Sequence, residues 1–202
     1  MKAISIFRYI LVGALALPMH AIAQTPAVPS APATSVPDAS TNGAAGADTQ
    51  GMKDKIFIHH VIVSGYNLIQ YGQLAADTST TPSIKKFGLR IVADHTELND
   101  ALKPVAEKMG VKIPYKLSKG ELEQFEKLKA LTGDAFDNQF VTMMVQTHRK
   151  DLDAYRTAAG DSNDEDVRKV ADKGEAILYK NTKIILGIAA GRGISTVPEA
   201  AK

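Results

Sequence analysis

Two long segments of this chain carry apolar side chains at helical spacing, and each stripe has a histidine at its centre. One and two turns either side of His95 stand Phe87, Gly88, Ile91, Val92, Leu98 and Leu102. Around His148 the corresponding neighbours are Phe140, Met144, Val145, Leu152 and Tyr155. Side chains at those intervals share one face of a helix. Both imidazoles are therefore directed into an apolar interior, where a polar group needs a partner. A chain patterned this way must fold by packing helices against one another.

The remaining cues agree. From Met52 the first segment shows a stripe of Val61, Gly65, Leu68, Gly72 and Ala75, whose small members let a neighbouring helix come close. Thr81-Pro82 opens a second helix, since proline at the first helical position gives up no needed N–H. It runs to about Met109, with Gly110 as the stop, and Pro104 should kink or locally disrupt it. Ser118-x-x-Glu121 is a capping box for a short helix ending near Leu131. Asp134 is the expected cap of a long helix to about Ala159. Ser162-x-x-Glu165 is a second capping box, opening a last helix to about Leu186. IFIHHVIVSG is β-branched, but its length and continuation favour a helix. The predicted fold is all-α, an antiparallel four-helix bundle with a short extra helix in the middle crossover.

The N-terminus carries a different signal. Lys2 and Arg8 precede an apolar run, Tyr9 to Leu17, too short to span a bilayer comfortably, and Ala21-Ile22-Ala23 follows as a cleavage box. Residues 1–23 are read as a signal peptide cut after Ala23, which predicts a periplasmic or secreted protein with no transmembrane segment after processing. Residues 24–50, rich in Ala, Pro, Ser and Thr, form a predicted flexible tether. The bundle domain is placed at 51–188 and a fraying tail at 189–202.

Composition closes off several functions. Without Lys2 and Arg8 the chain is formally neutral, which leaves no electrostatic footprint for nucleic acid and no polybasic membrane patch. There is no cysteine, which removes disulfides, thiol chemistry and thiolate metal sites.

The run IVADHTELNDAL, the loop GVKIP and the segment LTGDAFDNQFVTMMVQTHRKDLDAY together resemble domain-of-unknown-function family 4142, a bacterial exported family considered ferritin-like. The resemblance covers about Lys55 to Leu186. It is carried by Asp94-His95-Thr96 and by the spacing from Gly133-x-x-Phe136-Asp137 to Met144-x-x-x-His148. It implies a four-helix ferritin-like fold and an envelope location, with no established reaction. It also implies inward ligands from four helices: an acid on the first, Asp-His on the second, and one histidine on each of the last two. Asp94, His95 and His148 match; the acid falls at Leu68 and the last histidine at Asn181.

Two readings of the interior stay open. Asp94, His95 and His148 could hold one divalent ion weakly, with water completing the shell. Alternatively His95, His148 and Asn181 form a neutral core polar cluster, the amide donating to one ring and accepting from the other. Other candidates carry less. His59 and His60 point a quarter-turn apart and suit the surface or a partly buried position. DSNDED lacks the glycine and terminal glutamate of a calcium loop, and Gly191-Arg192-Gly193 lacks a phosphate-loop context. Met143-Met144 reads as core packing. No serine or threonine has a nucleophile context. The functional expectation is a non-catalytic binding or structural protein of the cell envelope, without a tightly held cofactor, whose partner is an envelope protein or small ligand. The alternatives are a metal-binding or redox-protective protein and a small-molecule carrier. The carrier would need a core opened at Gly65, Gly72 and Gly88.

Overall fold

Local signals set several of the helix ends, and tertiary contacts set the others. The structure, a computed structural model, describes residues 42–113 and 116–196, all within the unit Ala39–Lys202. The leader, its cleavage box and the first part of the tether lie outside the described residues. Five helices follow in order: α1 Asn42–Thr78, α2 Pro82–Lys108, α3 Lys119–Lys129, α4 Gly133–Asp161 and α5 Glu165–Gly191. No strand occurs among the described residues, so the domain is an all-α helical bundle.

Where bounds differ from expectation, the reason is local. α1 reaches back to Asn42, into the segment read as tether. Alanine, aspartate and glutamine there are compatible with helix once a downstream turn has nucleated. The Gln50 amide also donates to the Asp54 carboxylate one turn on, at 2.9 Å. α2 continues through Pro104, which sits on its exposed face. Thr81 precedes α2 without capping it, because its hydroxyl donates to buried Asp137 of α4 at 2.5 Å. α3 has the expected reciprocal box, with Ser118 N–H donating to Glu121 at 2.7 Å and Glu121 N–H to the Ser118 hydroxyl at 3.3 Å.

Two caps need correction. α4 is preceded by Thr132, and Asp134 lies within its first turn, where it pairs with Arg192 at 2.7 Å. The box expected at Ser162 and Glu165 does not form. Asp164 is the cap of α5, accepting from the N–H groups of Asp166 at 2.8 Å and Val167 at 3.2 Å. Ser162 is occupied elsewhere: its hydroxyl donates to buried Asp54 of α1 at 2.8 Å. Donating to that carboxylate turns the hydroxyl toward α1, and its oxygen accepts from the Asp164 N–H at 3.2 Å, ahead of the helix. α5 also extends past Leu186 to Gly191, since Ile185 and Ala189 still bury against the bundle.

α1 packs mainly on α2, and α4 on α5; contacts of α2 with α5 and of α1 with α4 close the bundle. The α1–α2 seam is close because two glycines face each other. A Cβ added at Gly72 would stand 2.7 Å from the Gly88 carbonyl, and one at Gly88 2.5 Å from that of Gly72. At Gly65 the same space is taken by the Asn99 side chain. These glycines draw helices together and do not open a cavity.

The apolar interior is divided in two. One cluster gathers Ile62, Leu98, Leu152 and Leu178 with Phe57 and Tyr155. The other gathers Leu68, Ile91, Val145 and Ile185 with Phe87, Phe136 and Phe140. Each buried large side chain contributes roughly 1.5–3 kcal/mol. Between the clusters every long helix carries small or polar residues: Gly65 on α1, His95 on α2, His148 and Asp151 on α4, Asn181 and Thr182 on α5. A polar layer thus crosses the middle of the bundle.

Candidate functional site

The layer is built by helix register. On α2 and α4 the apolar stripe simply continues through a histidine, so the rings inherit the burial of the leucines around them. His95 is 3% exposed and His148 0%. Their ring centroids lie 5.9 Å apart, edge to face at 84°. Phe87 borders His148 at 5.6 Å. His148 Nδ1 lies 3.0 Å from the Met144 carbonyl oxygen. A carbonyl only accepts, so that nitrogen carries the proton and Nε2 is left as a bare acceptor. Among the described residues neither His148 Nε2 nor His95 Nε2 has a hydrogen-bond partner, and the same holds for the Asn99 amide and the Thr182 hydroxyl.

Burial keeps both rings neutral. It lowers His95 to about 3, with His148 adding to the effect and Asp151 opposing it. It lowers His148 to about 4 against the opposing pull of Asp151, the Met144 carbonyl and Asp94. Removing charge from a low-dielectric interior outweighs the nearby carboxylates.

Asn181 does not bridge the two rings. Its amide donates to Asp94 at 2.9 Å, and its oxygen accepts from Arg90 at 2.7 Å. Arg90 and Asp94 also pair at 3.3 Å. Bonds to charged partners are roughly twice as strong as neutral ones, which accounts for the preference. Asp94 is thus held on the Arg90 side. The ligand set implied by the family resemblance does not fit. Leu68 is apolar and buried, Asn181 and Asp94 are engaged together, and among the described residues no group of three or more His, Asp or Glu side chains could hold a metal ion.

The sequence reading missed the residue that links the layer to solvent. Asp151 lies one turn beyond His148 on the buried face of α4 and is 2% exposed. Its carboxylate accepts from Ser64 at 2.5 Å and lies 3.1 Å from His60 Nε2, both on α1. It acts on His95, His148 and also Tyr155, whose hydroxyl is pushed up by burial first and by Asp151 second. The available signal was a carboxylate at i+3 from an inward histidine. His60 is half-buried, with its side chain 34% exposed.

Asp151 forms the floor of a cleft of about 370 Å³ between α1, α3 and α4. Ser64, Asn67 and Tyr71 line one wall, Glu121 the rim, and Gln146 and Lys150 the other wall. Asn67 donates to Glu121 at 2.5 Å. Burial raises the Glu121 carboxyl, but bonds from Ser118 and Asn67 outweigh it and hold the group below its ordinary range. Burial and then Glu121 raise the Tyr71 hydroxyl. Chemically this is a polar surface that sets two carboxylates among hydroxyl, amide and imidazole groups. The carboxylate stands between imidazole and hydroxyl, so His60 is not placed to take a proton from Ser64 as a hydrolase base would.

These features define an all-α bundle with a neutral histidine pair at its centre and a polar cleft beside it. The chain belongs to the DUF4142 family, a domain of unknown function, whose model matches residues 38–185. No curated protein matches the sequence. Among solved structures it is similar to a DUF305 fragment from Deinococcus radiodurans, with 12% identity and a TM-score of 0.60 over 69% of this chain and 96% of that one. It is also similar to a DUF305 protein from Streptomyces coelicolor, with 11% identity and a TM-score of 0.60 over 73% of this chain and 98% of that one. At these identities the likeness is one of fold. Among the described residues no helix is long and apolar enough to cross a membrane.

Proposed function

We propose that this chain is an exported, non-catalytic binding protein of the cell envelope. It is released after Ala23 and folds as an antiparallel, ferritin-like four-helix bundle with α3 in the middle crossover. One observation carries the binding reading: a carboxylate 2% exposed, Asp151, at the floor of a polar cleft. Burying a charge is costly, and a fold gains little by placing one under an open cleft unless something there uses it. The export reading is supported by the basic n-region and the A-x-A box. Amide NMR of the mature protein against a library of small amines, sugars and carboxylates tests binding. Saturable shifts confined to residues 60–71, 121 and 146–151 are expected; a library without one such compound would sink the reading. Intact mass of envelope fractions tests processing, with a chain beginning at Gln24 expected.

A second reading makes His95 and His148 ligands of a weakly held divalent ion, with Asp94 contributing. The two unpartnered Nε2 atoms favour it. The bonds from Arg90 and Asn181 to Asp94 count against a third ligand.

A further inference from the structure

We propose that the cleft takes a small organic ammonium ion, bound by Asp151 at its floor and Glu121 at its rim. The inference rests on the binding reading above and names the class of ligand.

Charge decides among the classes. Asp151 is buried, yet among the described residues its only ion-pair partner is His60, which is charged only when protonated. The other imidazoles near it, His95 and His148, are held neutral by burial. A buried carboxylate without a permanent counter-charge favours a cation brought from outside. Lys150 also lines the cleft, but among the described residues no ion pair joins it to Asp151.

Hydrogen-bonding capacity points the same way. A carboxylate offers about four acceptor sites. Asp151 uses one on Ser64 and one on His60, and Glu121 uses one on Asn67 and one on the Ser118 N–H. Both keep sites for the donors of an ammonium group. Ser64 and Asn67, one turn apart on α1, hold the two carboxylates along the same wall of the cleft. A bare metal ion is a poorer match, since the described residues offer it no group of three ligands. At about 370 Å³ the cleft is of a size for a small diamine.

Putrescine, glucose and acetate, each titrated into the full mature protein by calorimetry and amide NMR, separate the possibilities. Saturable putrescine binding that shifts residues 60–71, 121 and 146–151 is expected. Asp151→Asn should weaken it about tenfold or more, as loss of a charged partner does. Should Asp151→Asn fail to fold by circular dichroism, Glu121→Gln on the partly exposed rim takes its place, with a several-fold loss expected. Glucose or acetate binding in the cleft more tightly than putrescine would overturn the ammonium class while leaving the binding reading intact. Putrescine binding that both variants retain in full would overturn the assignment to these carboxylates. Absence of putrescine binding would also overturn it, and the library screen then decides whether the cleft binds anything.

Discussion

The His95 and His148 rings meet edge to face at 5.9 Å between centroids, each with an Nε2 that has no hydrogen-bond partner among the described residues. That contact joins α2 to α4 at the level where the apolar interior is interrupted. It sets the first two predictions.

His148→Ala removes a fully buried ring and leaves the Met144 carbonyl and His95 without their neighbour. The expected loss is about 1–3 kcal/mol, from the cavity that the ring leaves. Urea unfolding measures it. An unchanged midpoint would mean that the ring contributes nothing to the core.

Acid should weaken the fold before the carboxylates titrate. Both histidines lie below their ordinary value in the folded chain, at about 3 and about 4. The unfolded chain therefore takes up protons first as pH falls below about 6.5. Stability present above that pH is lost progressively down to the folded values, with a slope approaching ~1.4 kcal/mol per pH unit for each ring. Unfolding free energies at pH 7, 6 and 5 check it, and His148→Gln should shrink the slope. A flat profile over that range would contradict the neutral pair.

Gly72→Ala and Gly160→Ala should act in opposite directions. At Gly72 the new methyl would meet the Gly88 carbonyl at 2.7 Å, whereas at Gly160, within α4, nothing lies within 4 Å. The first should cost about 1–3 kcal/mol by forcing α1 from α2. The second should be neutral or stabilise by up to about 1 kcal/mol through helix propensity. Thermal melts of the two variants give the comparison.

Trimming the chain ahead of the bundle should show where α1 starts to matter. Deleting residues 24–41 is expected to leave the melting temperature within a degree or two, since they lack core-forming side chains. Deleting through Gln50 should lower it further, because α1 begins at Asn42 and Gln50 supports Asp54. Equal melting temperatures for both truncations would show that the first turns add nothing.

Calorimetry with zinc, copper and iron(II) should show no sub-micromolar site in the native chain. Leu68→Glu combined with Asn181→His should create or tighten one, by supplying inward ligands from α1 and α5. A tight native site abolished by His95→Ala and by His148→Ala would favour the metal reading.

The helical class was legible because the 3.6-residue period runs through long segments and needs no knowledge of partners. The phase of two stripes alone turns His95 and His148 inward. Caps were less legible. Ser162 has a correct box sequence, but Asp54, 108 residues away, takes its hydroxyl. The cleft floor was least legible. Asp151 finds Ser64 across 87 residues and His60 across 91. Only the pairing of α1 with α4 brings them together, and no local pattern encodes that pairing. Asn181 shows the same limit. Its register turns it toward the interior, but the competing charges of Arg90 and Asp94 decide where its amide points.

The division of the interior into two apolar halves has a consequence for how such a chain can diversify. Each half closes around its own leucines, phenylalanines and isoleucines. The side chains of His95, His148 and Asn181 therefore form an interchangeable storey. A descendant could exchange its occupants and acquire new chemistry while the walls above and below keep their shape.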